Sequence, residues 1–475
     1  MRFYLLRGCW KLAQKIEKKT QLILYGQPIW KGLLKLAIPV FLVNVLKTLH
    51  DLVDGIFLGQ IPDVDGVSVS TSMQSAIALT WPVYFIFLSL GMGLSVAGSS
   101  LIGQYIGRHD PANARKYAMN TVVLSLLFGL FFNVFLYVMT PSILRWMNAS
   151  GLELEYATTY LRIRSFEMPV LFLSFAFQAV RQATGDTLKP VLINSYSILI
   201  NIVLTPILIL GYQMGIRGAA ISTLISHLIM FPFIIVLFFR AADGILLQFK
   251  KDQVDLPIMR HITKIAIPAS MGQAIQALGF VILNSLIYSF GNSTSAAFYI
   301  GNRINSLIMF PVSSVSAIMA IYIAQNVGAG NIVRVRKSFR SGMFLAIAMM
   351  TIGVLFIIPF RFFLVGLFNH NPETIILAAE YTLYLHIGLP LMAVFQTFLS
   401  TFQGSGDTKY AFALAVIRLW VFRLPLVILS MKLTDLGPAG IWYAILASNV
   451  LIIFVGIFFY KRLRFMPKIE NTRLT

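Results

Sequence analysis

The stretch Ile102-Gly-Gln-Tyr-Ile-Gly107 leads into Arg115-Lys116, and the similar stretch Ile323-Ala-Gln-Asn-Val-Gly328 leads into Arg336-Lys337, 221 positions later (323 − 102 = 221). Three further motifs recur in the same order: Gln182-Ala-Thr-Gly-Asp-Thr187 as Gln403-Gly-Ser-Gly-Asp-Thr408, Gly215-x-x-Gly218 as Gly437-x-x-Gly440, and Ile38-Pro39 as Ile267-Pro268. Four ordered matches at nearly one offset predict two similar halves of one chain. Repeats of this kind are common in transporters, with the substrate site near the membrane midplane, between or within the halves.

The composition of both halves is that of a membrane protein. Hydrophobic residues make up 57% of the 475 residues and charged residues 12%, whereas a soluble domain has about 25% charged residues. Long apolar runs have the length that a spanning helix requires. We therefore predict an all-α membrane protein with twelve transmembrane helices in two pseudo-symmetric six-helix bundles, the spans being 32–58, 72–101, 117–139, 161–184, 188–212, 218–240, 262–290, 294–327, 338–361, 375–403, 409–431 and 437–462.

The distribution of positive charge predicts the orientation. Lys and Arg collect in the gaps after spans two, six and eight and in the tail, and the positive-inside rule places these segments, and both termini, in the cytoplasm. We therefore attribute the net charge of +20 to loops beside the membrane lipids, and we do not take it as a sign of nucleic-acid binding. The predicted organisation in the inner membrane is an amphipathic cytoplasmic segment (1–31), an amino-terminal lobe (32–240), a cytoplasmic linker (241–261), a carboxyl-terminal lobe (262–462) and a cytoplasmic tail (463–475).

Two acidic residues lie in the first predicted span. Asp51 and Asp54 are three residues apart and share one helix face. Carboxylates within a spanning helix usually face a bundle interior and mark ion or substrate paths. Because two close carboxylates resist double ionisation, at least one can carry a proton near neutral pH. The alternative is that they lie, solvated, at the outer end of the helix.

Other polar residues in the spans have two readings each. Asn201 and Thr205 are one turn apart before Pro206, so their oxygens could bind a cation or join two helices by hydrogen bonds. Arg418 and Arg423 must be paired or face water at their depth, in a structural role or in substrate contact. Polar residues of the seventh span either line a cavity or join helices; these are Gln273, Gln276 and Asn284.

Several function classes are excluded by what the sequence lacks. It has no Gly-x-x-x-x-Gly-Lys-Ser/Thr motif, so we do not expect ATP to drive it. Its single cysteine, Cys9, and the absence of a Cys/His cluster argue against a metal enzyme. We expect no enzymatic activity and no cofactor beyond a coupling ion, H⁺ or Na⁺.

The order and spacing of the motifs resemble the multidrug and toxic compound extrusion (MATE) family, and most closely its DinF-like branch, over nearly the whole chain. The motifs that carry the resemblance are Leu52-Val-Asp-Gly-Ile-Phe-Leu-Gly59, Asn201-Ile-Val-Leu-Thr-Pro206, Gly215-Ile-Arg-Gly-Ala-Ala220 and the two Gly-Asp-Thr turns. The resemblance implies cation-coupled antiport, with the coupling carboxylate at Asp54. It also implies that Asn201 and Thr223 belong to the amino-lobe site, and that Arg418 matches an arginine of the eleventh helix.

The chain departs from the family pattern at three positions. Thr205 stands where many relatives have Asp, and Gln276 and Met392 stand where NorM-like members have acidic residues. The carboxyl-lobe acidic site is therefore expected to be absent. The sequence predicts a monomeric exporter of small amphipathic, cationic organic compounds, coupled to H⁺ in preference to Na⁺. The alternative is a flippase of the same superfamily for an anionic lipid or lipid-linked substrate, which Arg418 and Arg423 would favour.

Overall fold

The described part of the chain is helical throughout. The computed structural model describes residues 19–59, 69–239, 253–369 and 371–469, and these contain α-helices and two π-helical turns without a β-strand. The helices are α1 (Ile29–Gly59), α2 (Val69–Gly107), α3 (Pro111–Trp146), α4 (Gly151–Ser165), α5 (Met168–Ala183), α6 (Leu188–Pro206), α7 (Gly215–Phe239), α8 (Leu256–Tyr288), α9 (Asn292–Gly328), α10 (Ile332–Gly366), α11 (Pro372–Ile387), α12 (Leu389–Gly404), α13 (Thr408–Val416), α14 (Leu424–Leu433) and α15 (Pro438–Arg462). The π turns are Ile207–Gly211 after α6 and Ile417–Arg423 between α13 and α14.

The helices provide up to twelve membrane spans. Within the described residues, ten helical segments are long and apolar enough to cross a membrane, and the bent pairs α4/α5 and α11/α12 bring the number to twelve when each pair is counted as one span. The bends are 50° and 48°. Each lies just before a helix whose first turn contains proline, Pro169 or Pro390, and proline prevents a helix from continuing unbroken into the preceding turn. The predicted fold class is confirmed.

The internal repeat extends to the helix ends. Asp110 caps α3 by accepting a hydrogen bond from the backbone N–H of Asn113 at 3.0 Å, and Asn331, 221 positions later, caps α10 through Arg334 N–H at 3.0 Å. Such caps satisfy backbone donors that have no partner inside the helix. The glycines of the repeated Gly-Asp-Thr turns, Gly185 and Gly406, have φ of +77° and +78°. These angles explain why glycine occupies both turns.

The chain divides into two compact units. The first comprises Met1–Thr20 and Leu42–Ser270, and the second comprises Gln21–Phe41 and Met271–Thr475. The division falls inside α1 and inside α8, so the start of α1 belongs to the second unit. There, Arg334 donates hydrogen bonds to the carbonyl oxygens of Ile23 and Gly26, at 2.9 and 2.7 Å.

Candidate functional site

A buried cluster of neutral polar side chains joins α6 to α7 in the first unit. The Asn201 amide donates to Ser222 Oγ at 3.4 Å and to Thr223 Oγ1 at 3.2 Å. Thr205 Oγ1 donates to Asn201 Oδ1 at 3.3 Å and lies 3.0 Å from Ser222 Oγ. All four side chains are at most 2% exposed. The structure therefore brings together three of the predicted coupling residues and adds Ser222, which the sequence analysis did not single out.

The π turn directly after Pro206 distinguishes this region from an ordinary helix. The turn Ile207–Gly211 replaces the regular continuation of α6. The second half has a longer π turn, Ile417–Arg423, which at the offset of 221 corresponds to residues 196–202 inside α6. π turns inside helices are rare and occur often at functional sites. The α6/α7 cluster therefore lies next to a backbone irregularity of this kind.

The predicted carboxylates belong to α1. Asp51 and Asp54 are helical residues, but their side chains lie outside the described residues. Among the described residues of the α6/α7 cluster, every ligand atom is a neutral amide or hydroxyl oxygen. Such atoms suit a hard cation or a proton network, but they supply no negative charge of their own.

The second unit contains a cavity of about 240 Å³ around two buried arginines. Arg418 Nη2 donates to Gln276 Oε1 at 3.2 Å, Arg418 Nη1 lies 2.7 Å from Met392 Sδ, and the guanidinium lies 4.2 Å from the centre of the Phe395 ring. In the described part of the chain, Arg418 Nε is buried and has no hydrogen-bond acceptor. Arg423 donates to neutral oxygens, from Nε to Ser448 Oγ at 3.0 Å and from Nη2 to Asn449 Oδ1 at 2.8 Å.

The charge in this cavity is positive. Its described lining residues include both arginines and no carboxylate; they are Gln276, Phe280, Leu283, Phe298, Asn302, Asn305, Met309, Tyr381, Leu385, Leu389, Met392, Phe395, Gln396, Arg418, Arg423, Ile445 and Asn449. An unpaired charge in a poorly hydrated site is costly. Amide oxygens and the face of the Phe395 ring partly compensate the positive charge of the two guanidinium groups. An acidic group bound in the cavity would complete this compensation.

The three polar residues of the seventh predicted span, Gln273, Gln276 and Asn284, lie in different surroundings. Gln276 lines the Arg418 cavity, while Asn284 lines an adjoining cavity of about 270 Å³ that shares Phe280, Phe298 and Asn302 with it. Gln273 is among the lining residues of neither. Sequence analysis missed Asn302 and Asn305 of α9, although their i, i+3 spacing inside an apolar span was a signal that one polar face points to an interior.

Comparisons with known proteins agree with this architecture. The MatE family model matches residues 39–207 and 268–429. The chain is 26% identical over 438 residues to the probable multidrug resistance protein YoeA of Bacillus subtilis, covering 90% of this chain and 93% of that protein. It is 24% identical over 439 residues to the FAD transporter of Shewanella oneidensis, covering 90% and 93%.

The fold also matches a solved structure, described as MATE in complex with MaD3S, with a TM-score of 0.86 over 94% of this chain and 98% of that one, at 24% identity. The family model alone covers more than half of the chain, one matched segment in each half. The chain belongs to the MatE family of membrane transporters.

Proposed function

We propose that this chain is a secondary active exporter of amphipathic organic compounds in the inner membrane, driven by inward movement of a cation, with H⁺ preferred to Na⁺. Family membership supports export by a transporter, and YoeA is described as a probable multidrug resistance protein. The preference for H⁺ rests on Asp54 and on the neutral α6/α7 cluster. A proton needs one carboxylate of suitable pKa, whereas dehydrated Na⁺ needs several oxygen ligands and favours fixed negative charge.

The sequence prediction of cationic substrates stays a prediction, and the geometry of the second unit supports a different substrate class. The observation that carries this proposal is the pair Arg418 and Arg423 in a cavity whose described lining residues include no carboxylate. A permanently cationic compound would meet like charge there. An amphipathic compound with a carboxylate or phosphate could place its acidic group beside the Arg418 and Arg423 guanidinium groups and its apolar part on Phe395 and Phe298.

The relatives fit a soluble substrate better than a lipid-linked one. YoeA is described in terms of drug resistance, and the Shewanella protein is described as a transporter of FAD, a soluble molecule with an acidic diphosphate. The flippase alternative is not favoured by these comparisons. We therefore propose amphipathic organic acids and zwitterions as preferred substrates.

Transport in proteoliposomes tests both parts of the proposal. Carboxyfluorescein is an anionic probe and ethidium a cationic one, and each would be followed under a pH gradient alone and under a Na⁺ gradient alone. We expect pH-driven movement of carboxyfluorescein to exceed that of ethidium. Preference for ethidium would contradict the substrate class, and movement driven by Na⁺ at every pH but not by a pH gradient would contradict the coupling ion.

A further inference from the structure

A second cluster of charged and polar side chains lies inside the first unit, at the bend between α4 and α5. Glu167, which is fully buried, accepts a hydrogen bond from Arg164 Nε at 2.6 Å, and its other oxygen lies 2.6 Å from His227 Nδ1. The Tyr84 hydroxyl also donates to Glu167. Arg164 in turn lies over the Tyr84 ring, 4.5 Å from its centre, and donates to the Tyr160 hydroxyl at 2.9 Å.

This cluster is at the middle of the spans that form it. His227 is twelve residues from each end of the 25-residue helix α7, and Glu167 lies at the junction of α4 and α5, which are 15 and 16 residues long. Ionisable groups at this depth are costly and usually serve ion or proton movement. An ion pair that only holds the bend is the competing explanation.

The second half provides an internal control for that explanation. At an offset of 221, α4 and α5 correspond to α11 and α12, Tyr160 to Tyr381, and Glu167 to Gly388. The bend there is 48°, against 50° in the first half, although glycine provides no carboxylate. The bend therefore forms without this ion pair, and the charged cluster is not required by the backbone.

The neighbours of Glu167 correspond to residues of the arginine cavity. At the same offset Tyr84 corresponds to Asn305 and Arg164 to Leu385. His227 corresponds to Asn449 at the offset of 222 set by Gly215 and Gly437. Gly388 and Asn449 are also neighbours in space, as Glu167 and His227 are. A Cβ built on Gly388 would lie 3.3 Å from Asn449 Nδ2. The second half thus uses this position to line a cavity with neutral residues, while the first half fills it with groups that can change charge.

We propose that His227, held by Glu167, is a proton-binding site of the first half, and this inference rests on the proposed coupling to H⁺. The proton adds to imidazole Nε2, while Nδ1–H keeps its hydrogen bond to Glu167 Oε2. Glu167 stays ionised in both states because Arg164 compensates its charge throughout. We assign the proton to His227 because its side chain is 21% exposed, whereas that of Glu167 is fully buried.

The site is connected to the neutral cluster through α7. Thr223 and His227 are four residues apart, so they occupy one face of α7 about 6 Å apart along its axis. Among the described residues, the charged and titratable groups of this cluster are Tyr84 from α2 and Arg164, Tyr160 and Glu167 from α4 and the bend. Arg181 of α5 contacts α7 at the carbonyl of Leu237, ten residues beyond His227, and α6 contributes the neutral Asn201 and Thr205. Protonation of His227 would add one positive charge about 6 Å along α7 from Thr223 of the neutral cluster.

The experiment replaces His227 by the residue that the second half has. His227→Asn keeps the Arg164–Glu167 pair and should therefore fold, which thermal unfolding in detergent would verify. We expect pH-driven export to fall by on the order of tenfold and to lose its dependence on pH between roughly 5 and 8. His109→Asn, in the loop before α3 at φ +60°, is the control and should leave both unchanged, since asparagine tolerates that backbone angle.

Nitrogen NMR of labelled histidine gives a second, direct readout. The chain has six histidines, so loss of one signal in His227→Asn assigns it. We expect that signal to titrate in the wild type. A His227 signal that stays in one protonation state overturns the site, as does pH-driven export that persists undiminished in His227→Asn. Wild-type export that responds only to Na⁺ would instead refute the proposed coupling ion, and with it the role of this proton in transport.

Discussion

Arg418 of the π turn between α13 and α14 donates a hydrogen bond to Gln276 of α8 at 3.2 Å, and the same guanidinium contacts Met392 of α12. Gln276 and Met392 are the two positions at which the resemblance led us to look for acidic residues. A neutral amide and a thioether replace those acids here, and the arginine lies against both. At this place the second half therefore lacks the acidic residues of NorM-like members and contains an arginine.

Replacing Arg418 by Gln should alter substrate preference more than folding. A charge-assisted hydrogen bond contributes about 1.5–3 kcal/mol, which corresponds to roughly a tenfold to hundredfold loss of affinity for carboxyfluorescein. Ethidium transport should be unchanged or increased, because like charge has been removed. Arg217→Gln, which removes an exposed arginine at the start of α7, is the control. Equal losses for both dyes would contradict an anion-binding role for Arg418.

Replacing Gly404 by Ala should destabilise the second unit. A Cβ built on Gly404 meets the backbone of Ala320, 2.9 Å from its Cα, so α9 and α12 would have to separate. We expect a loss of about 1–3 kcal/mol, typical of overpacking, visible as earlier thermal unfolding in detergent. Gly366→Ala at the end of α10 has no atom within 4 Å of its added Cβ and should change stability by less than about 0.5 kcal/mol. Equal unfolding temperatures for the two variants would show that the close approach is unimportant.

The spans and the repeat could be predicted from sequence because each depends on local signals, apolar length and ordered short motifs. The contact between Asn201 and Thr223 was anticipated only through the resemblance. The contact between Arg418 and Gln276 was not anticipated at all. Arg418 lies in a π turn, and no simple periodicity of the sequence reveals such a turn. Glu167 and His227 are 60 residues apart, and only the packing of α7 on the bend brings them together.

Asp54→Asn should abolish coupled export and leave the fold intact. Neutralising an acid within a spanning helix removes an insertion cost of about 2.5–3.5 kcal/mol, so thermal stability should not fall. Gradient-driven export would be compared with passive exchange of the same dye, which tests whether the variant still binds substrate. Undiminished gradient-driven export by Asp54→Asn would eliminate this residue as the coupling carboxylate.

The positive charge in alternate gaps predicts the orientation of the chain. After replacement of the native Cys9 by Ser, a cysteine at Asp65 or Ser293 should react with an impermeant thiol reagent added outside intact cells. A cysteine at Lys251 should react only after the membrane is permeabilised, because the linker is predicted to be cytoplasmic. Labelling in the opposite pattern would reverse the orientation, whereas the fold and the sites would be unaffected.

Replacing Thr205 by Asp should increase the response to Na⁺. Thr205 is fully buried, with Asn201 Oδ1 at 3.3 Å and Ser222 Oγ at 3.0 Å, so a carboxylate there would join several neutral oxygens. Membrane potential favours inward movement of either ion by about 2.3 kcal/mol per charge per 100 mV and does not distinguish H⁺ from Na⁺. The ligands must do so, and Na⁺ gains more from a fixed negative charge than a proton that already has Asp54. Dye export at fixed pH over a series of Na⁺ gradients measures this effect, with Thr205→Asn as the neutral control. If Thr205→Asp and Thr205→Asn respond equally to Na⁺, the neutrality of this cluster is not what makes H⁺ the preferred ion.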